Sequence, residues 1–164
     1  IVGDGPDKEK LDKLIGKYKL DEQVVFTGKV PWEEVPLYYH LGNVFMTASR
    51  SETQGLTVIE AMAAGDVPVC INDESFTNVI IDDLNGKIFK DKKECVRILS
   101  ELINDKKSLK RLSNQARINA ERHSSKYYAE SVLDVYRLAI QNKKGRFGWV
   151  SDIYRKVSHR KWNY

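Results

Sequence analysis

Apolar and polar positions along the chain follow two rhythms. Short apolar runs read as strands: "IVG" at 1–3, "VVFTG" at 24–28, "NVFMTAS" at 43–49 and "VPVCI" at 67–71. "GKIFK" at 86–90 reads as a further short strand after a turn at Asn85-Gly86. Between them, helical spacing predicts helices over about 8–18, 32–40 and 56–64. Strands alternating with helices of this size predict βαβ units and a parallel sheet covered on both faces, and nearly all-apolar strands suit that burial. From Lys92 onward the rhythm is wholly helical. Val96, Leu99, Leu102 and Ile103 make one apolar stripe, and Leu109, Leu112, Ala116 and Ala120 a second. Tyr128, Val132, Val135, Tyr136 and Ala139 make a third, with Ser124 or Ser125 as its cap. The fold class is α/β.

Composition narrows the picture. The chain has 164 residues, room for one sizeable core but not for two ordinary domains. It is 41% hydrophobic and 30% charged, which excludes a disordered chain. Its apolar runs are too short to span a bilayer. It shows no signal peptide and opens as if on the end of a strand, so a fragment of a longer protein is expected. Cys70 and Cys95 form no CxxC pair and join no His/Cys cluster, which argues against a disulfide framework or a zinc site and for a reducing, cytoplasmic setting. The net charge of +4 is unevenly spread. Residues 143–164 carry seven Lys and Arg against Asp152, a balance of +6 that leaves −2 for the rest.

In open α/β sheets ligands bind beyond the carboxyl ends of the strands. Three segments are expected there: "GDGPDKEK", "TGKVPWEE" and "SRSETQGLTVIE". The first lacks the last glycine of a dinucleotide fingerprint, since that place holds Lys8. Gly3 and Gly5 then read as a tight turn, with Asp7 capping the helix. In the second, Pro31, Glu33 and Glu34 suit a helix start, and backbone amides near Lys29 and Val30 are open to a planar ligand.

The third segment carries more. Gly55 permits close backbone approach, and Leu56 and Thr57 open a helix with free amides suited to an anion. Glu52 stands beside that anion site, and Glu60 lies about one turn into the helix, where it can accept hydroxyl bonds as the acidic residue of a ribose site does. Amides for phosphate and carboxylates for hydroxyls describe a nucleotide-sugar site. Simple capping with a solvated helix face remains open on the chemistry alone. A glycoside hydrolase would also use two carboxylates, but across a sugar bond and not around an anion site. His40 and His123 have no nucleophile beside them in sequence.

Glu52 and Glu60 stand in the E-x7-E spacing of the family-4 retaining glycosyltransferases, and "ETQGLTVIEAMAAGDVPV" resembles that family's signature. "IVGDGPDKEKLDKL", "VVFTGKV" and "HSSKYYAESVLDVYRLAI" resemble its flanking segments, so the similarity runs over roughly residues 1–142. The resemblance implies a Rossmann-like sheet forming most of the C-terminal, donor-binding half of a GT-B enzyme, without that half's first strand. It implies Glu52 at the reacting centre, Gln54, Gly55, Leu56 and Thr57 on donor sugar and diphosphate, Glu60 on the ribose, and the backbone of Val30 at the base. It also implies transfer with retention and without a metal ion, a cofactor-free reaction on a nucleotide sugar. The family's diphosphate-binding Arg and Lys belong to an earlier strand not found here, and the N-terminal acceptor half is absent. This chain alone is expected to be inactive.

"INDESFTNVIIDDLNGKIF", with Ser75, Phe76, Thr77, Asn78 and Val79 where many members have a Gly-Gly-x-x-Glu loop, resembles bacterial diacylglycerol glucosyltransferases. That implies UDP-glucose as donor and a glycolipid product. Transferases of capsular and surface polysaccharides, and a non-catalytic nucleotide-sugar-binding module, stay open as alternatives. Residues 143–164 read as a basic amphipathic helix that either lies on an anionic membrane surface, placing the protein peripherally at the inner face of the cell membrane, or packs on the absent half. Nucleic acid is not expected as a partner.

Overall fold

The computed structural model describes residues 1–52 and 55–141. The expectations for residues 143–164 lie outside the described residues, as does Gln54. Chain contacts divide the molecule into two units, Ile1–Asn119 and the segment from Ala120 onward.

The first unit is built on a parallel sheet of β1 (Val44–Thr47), β2 (Val67–Ile71) and β3 (Lys87–Phe89), in the order β1-β2-β3. β2 is central and buried throughout, in register Val44↔Val67 with β1 and Val69↔Lys87 with β3. Pro68 has no amide to give a central strand. It is tolerated because Val67 N donates to Asn43 O on the β1 side, so position 68 faces β3, whose pairing begins only at Val69. Gly86 makes room for it: a Cβ there would stand 2.7 Å from Pro68 Cγ and 2.8 Å from Pro68 O.

The helices are α1 (Lys8–Tyr18), α2 (Val35–Tyr39), α3 (Leu56–Ala64), α4 (Lys92–Asn104) and α5 (Lys106–Ala120), with α3 packed on β2, α4 on β3 and α2 on α3. The α/β class with a parallel sheet is thus as expected, and α1 and α3 match the sequence reading at both ends. The two N-terminal strands do not form. Residues 1–3 and 25–28 are tied by three main-chain bonds, Ile1 N to Val25 O at 2.7 Å, Thr27 N to Ile1 O at 3.1 Å and Gly3 N to Gly28 O at 2.9 Å, and by Thr27 Oγ1 to Ile1 O at 3.4 Å, leaving isolated bridges. Two short segments without a third partner make a marginal ribbon, and Val25 is 69% exposed.

The helix expected over 32–40 is shortened to α2, because Pro36 has no amide to bond back to Trp32. Pro31, Trp32, Glu33 and Glu34 form turns ahead of it, with Glu34 N on Pro31 O and Val35 N on Trp32 O. Asp7 does stand at the N-cap of α1, but its carboxylate makes no cap bond and pairs with Lys10 instead. The inward face of α4 overlaps the expected stripe only in part: Leu102 is buried as expected and Leu99 is half-buried. Cys95, Ile98 and Leu102 are buried, whereas Val96 and Ile103 are 56% and 73% exposed. Asp91 and Glu94 start that helix as a reciprocal box: Glu94 N donates to Asp91 Oδ1 and Lys90 N to Glu94 Oε2, each at 2.9 Å.

In the second unit α6 (Ser125–Gln141) begins at Ser124, whose Oγ accepts from Tyr127 N at 3.2 Å. Ser124 is therefore the cap. Tyr128 and Tyr136 of the third stripe are exposed.

Candidate functional site

The site begins where β1 runs into α3. Gly55 takes the left-handed conformation, φ 61° and ψ 33°. A Cβ here would meet Phe76 Cδ1 at 3.4 Å, an ordinary contact, so glycine supplies backbone conformation and not space. Val58 N and Ile59 N donate to Gly55 O at 3.0 and 3.1 Å, which leaves the amides of Leu56 and Thr57 in the first turn ahead of those bonds. Gly55 has no side chain with which to cap them. Such a terminus suits a negatively charged group.

Packing decides where the rest of α3 points. Val58, Ala61 and Met62 are buried, and the spacing of these three turns Leu56, Thr57 and Glu60 outward. The far end is held firmly. Gly65, at φ 101°, closes the helix with its amide on Ala61 O and Met62 O, and Asp66 N also reaches Ala61 O. α5 supplies two side chains to that end, Arg117 Nη2 to Ala64 O at 2.8 Å and Ser113 Oγ to Gly65 O at 2.6 Å. An Arg at a helix C-terminus complements the dipole.

Glu60 is not free on its exposed face. The Tyr39 hydroxyl, at the end of α2, donates to Glu60 Oε2 at 3.1 Å, and the Tyr39 ring lies edge-on to Phe45 of β1 at 5.7 Å and 61°. Glu52 is half-buried in the loop after β1, a loop shaped by Ser49 N on Thr47 Oγ1 and Ser51 N on Ser49 Oγ. Val30 sits half-buried on a separate loop, just past the bridge at Gly28. A turn after β2 closes over Gly55, its Phe76 fully buried. Within that turn Asp73 Oδ1 accepts from Ser75 N at 3.1 Å and from Ser75 Oγ at 2.7 Å, and these bonds, helped by the Arg50 charge, lower the Asp73 pKa. Leu56, Thr57 and Glu60 are thus exposed on one helix whose start is set by the buried Gly55. The sequence reading missed Tyr39, whose residue type alone carried no signal of its neighbour 21 positions away.

Other reactive groups are structural. The Cys70 thiol is pushed up to about 12 by burial, and burial also raises Cys95, so both stay protonated. Burial and Arg122 lower the His123 pKa. A cavity of about 410 Å³ lies at the amino-terminal side of the sheet, lined by Asp83, Lys87, Ile98, Leu102, Asp105 and Ser108, and shares no residue with the α3 surface.

Comparison with known proteins gives this surface a context. The profile of the family described as glycosyl transferases group 1 matches residues 1–119. The alpha-monoglucosyldiacylglycerol synthase of Acholeplasma laidlawii is 39% identical over 137 residues, covering 83% of this chain and 34% of that protein. The chain therefore spans about a third of the length of that relative. Among solved structures, the C-terminal domain of a group 1 glycosyl transferase (LpcC) from Francisella tularensis is 26% identical with a TM-score of 0.64, covering 70% of this chain and 60% of that one. The Anabaena protein HepE in complex with UDP and glucose shares the fold, with a TM-score of 0.68 at 20% identity over 81% of this chain and 39% of that one. The chain shares the fold of the part of each of these structures that it covers.

Proposed function

The chain belongs to the group 1 glycosyl transferases, and from that premise we propose that it is the donor-binding part of a retaining hexosyltransferase that uses a UDP-hexose, with glucose favoured. The observation that carries the reading is the opening of α3: a left-handed Gly55, two first-turn amides that no side chain caps among the described residues, and Glu60 turned outward one turn later. Diphosphate charge grows as the bond to the anomeric carbon breaks, and fixed amides aimed at that charge stabilise it without reorganising. Leu56 and Thr57 serve that role. Glu60 accepts from the ribose hydroxyls, the backbone of Val30 meets the base, and Glu52 with Gln54 attends the donor sugar. No metal ion is required in this scheme.

The acceptor is a lipid or a glycan, with a diacylglycerol-based glycolipid favoured. The Acholeplasma laidlawii protein, by its name a glucosyldiacylglycerol synthase, supports that lean, as does HepE with UDP and glucose for the donor. Among the described residues no helix is long and apolar enough to cross a membrane. Contact with a lipid acceptor is assigned to peripheral association at the cytoplasmic face, through the basic residues 143–164. The partner implied for the chemistry is an N-terminal acceptor-binding half.

Titration of the full protein with UDP-glucose, UDP and GDP-mannose, monitored by calorimetry, tests the donor. UDP ligands are expected to bind and GDP-mannose to fail, and Glu60→Ala is expected to weaken UDP binding about tenfold or more. Binding of GDP-mannose alone would keep the enzyme class and overturn the UDP assignment. Unchanged UDP affinity in Glu60→Ala would remove Glu60 from the site.

A further inference from the structure

We propose that Tyr39 is the positioning residue of the donor site: its hydroxyl holds Oε2 of Glu60, orients the carboxylate, and leaves Oε1 for the nucleotide's ribose. The proposal rests on the assignment of Glu60 to the ribose. It concerns how specificity for a ribonucleotide arises, and it stands on geometry drawn from three elements.

An exposed glutamate on a helix samples several rotamers, and a ligand that needs one of them bears the cost of ordering it. Here that ordering is done beforehand. Tyr39 closes α2, its ring is set edge-on against Phe45 of β1, and its hydroxyl reaches Glu60 Oε2 of α3 at 3.1 Å. Aromatic pairs at such angles favour one ring orientation, so the hydroxyl is aimed by the sheet and not by the helix that carries Glu60. A phenol donating to a carboxylate is a charge-assisted bond. It uses one oxygen and leaves the second with its lone pairs for an outside donor.

The phenol keeps its proton throughout the working range. Burial first, then the Glu60 charge, the bond to Glu60 and the Asp66 charge all raise its pKa above the usual tyrosine value. Tyr39 is therefore a donor to Glu60 and not a competing acid. Phenylalanine would retain the ring contact with Phe45 and delete the bond alone, which makes Tyr39→Phe a clean probe.

The test compares UDP with 2′-deoxy-UDP and 3′-deoxy-UDP on the full protein, as wild type, Tyr39→Phe and Glu60→Ala, with thermal melts to confirm equal folding. Wild type is expected to prefer UDP over at least one deoxy analogue by about tenfold. Tyr39→Phe should shrink that preference to about threefold or less while changing affinity for the deoxy analogue little. Glu60→Ala should abolish the preference. If Tyr39→Phe weakens UDP and deoxy-UDP equally, or neither, while Glu60→Ala still abolishes the preference, Tyr39 only packs and the proposal is overturned with the ribose assignment intact. If the preference survives Glu60→Ala, the ribose assignment itself has failed and the proposal falls with it.

Discussion

Residues 1–43 and residues 55–120 use the same apolar stripes and turn residues, yet they end up differently packed. Among the described residues the first stretch contains no buried side chain, and α1 and α2 bury none. The second holds the whole of the fully buried set, from Val58, Ala61 and Met62 through β2 to Phe76, Leu112 and Ala116. The difference is one of partners. α3 lies on β2, β2 is enclosed by β1 and β3, and α5 holds the C-terminal end of α3, so each stripe in the second region meets another. α1 presents Leu11 and Leu14 in the same pattern, with Leu14 still 47% exposed. Periodicity shows that a face is available for burial; a neighbouring element decides whether it is buried.

The largest expected effect lies in the second region. Leu112→Ala empties a fully buried site and should cost about 2–5 kcal/mol of unfolding free energy, while Leu14→Ala should cost under about 1 kcal/mol. Urea unfolding of both variants checks the contrast, and equal losses would show that the first region carries as much of the core as the second. A smaller effect sharpens the same point away from apolar packing. Asn85 is buried, accepting from Ile81 N at 2.7 Å and donating to Val79 O at 3.0 Å, so it closes the loop that leads into β3. Asn85→Ala should cost about 2 kcal/mol by leaving those backbone groups unpaired, and hydrogen exchange should quicken first at Ile81.

The smallest effect belongs to the seam between the two regions. Asp66, 4% exposed at the start of β2, sits where a Cβ on Gly42 would stand 3.0 Å from its Oδ1. Burial raises its pKa from 3.8 to about 6, against the opposing influence of His40. A raised folded value favours the protonated form, so this stabilisation is full below the unfolded value and is lost as pH rises through about 6. Asp66→Asn should match wild type near pH 3 and exceed it by at least about 1 kcal/mol at pH 8. Thermal melts at the two pH values decide it, and a difference that does not change with pH would show that the buried acid does not titrate in this range.

Much of the surface proposed to take the donor was legible as a structural unit because it is contiguous. Gly55, Leu56, Thr57 and Glu60 lie within one loop and one helix, and the bounds of α3 follow from a glycine at each end. β2 was legible as a buried run, and Ser124 as one of two possible caps. The inward face of α4 was legible only in part, at Leu102. Val96 and Ile103 fit an apolar stripe as well as Cys95 and Ile98 do, and only contact with the sheet selects between them. The failure of residues 1–3 and 24–28 to form strands was not legible, because strand pairing depends on what lies alongside and not on the run itself.

By itself, then, the sequence determined the alternation of elements, the helix start that suits an anion and the acid one turn beyond it, because these depend on residues within a few positions of one another. Tertiary structure alone decided that Tyr39 reaches Glu60, that Arg117 and Ser113 close the far end of α3, and that Asp66 is buried beside Gly42. Those contacts join residues 21 to 53 positions apart. Hydrogen bonds and burial are set by distances in space, and local propensity carries no record of them.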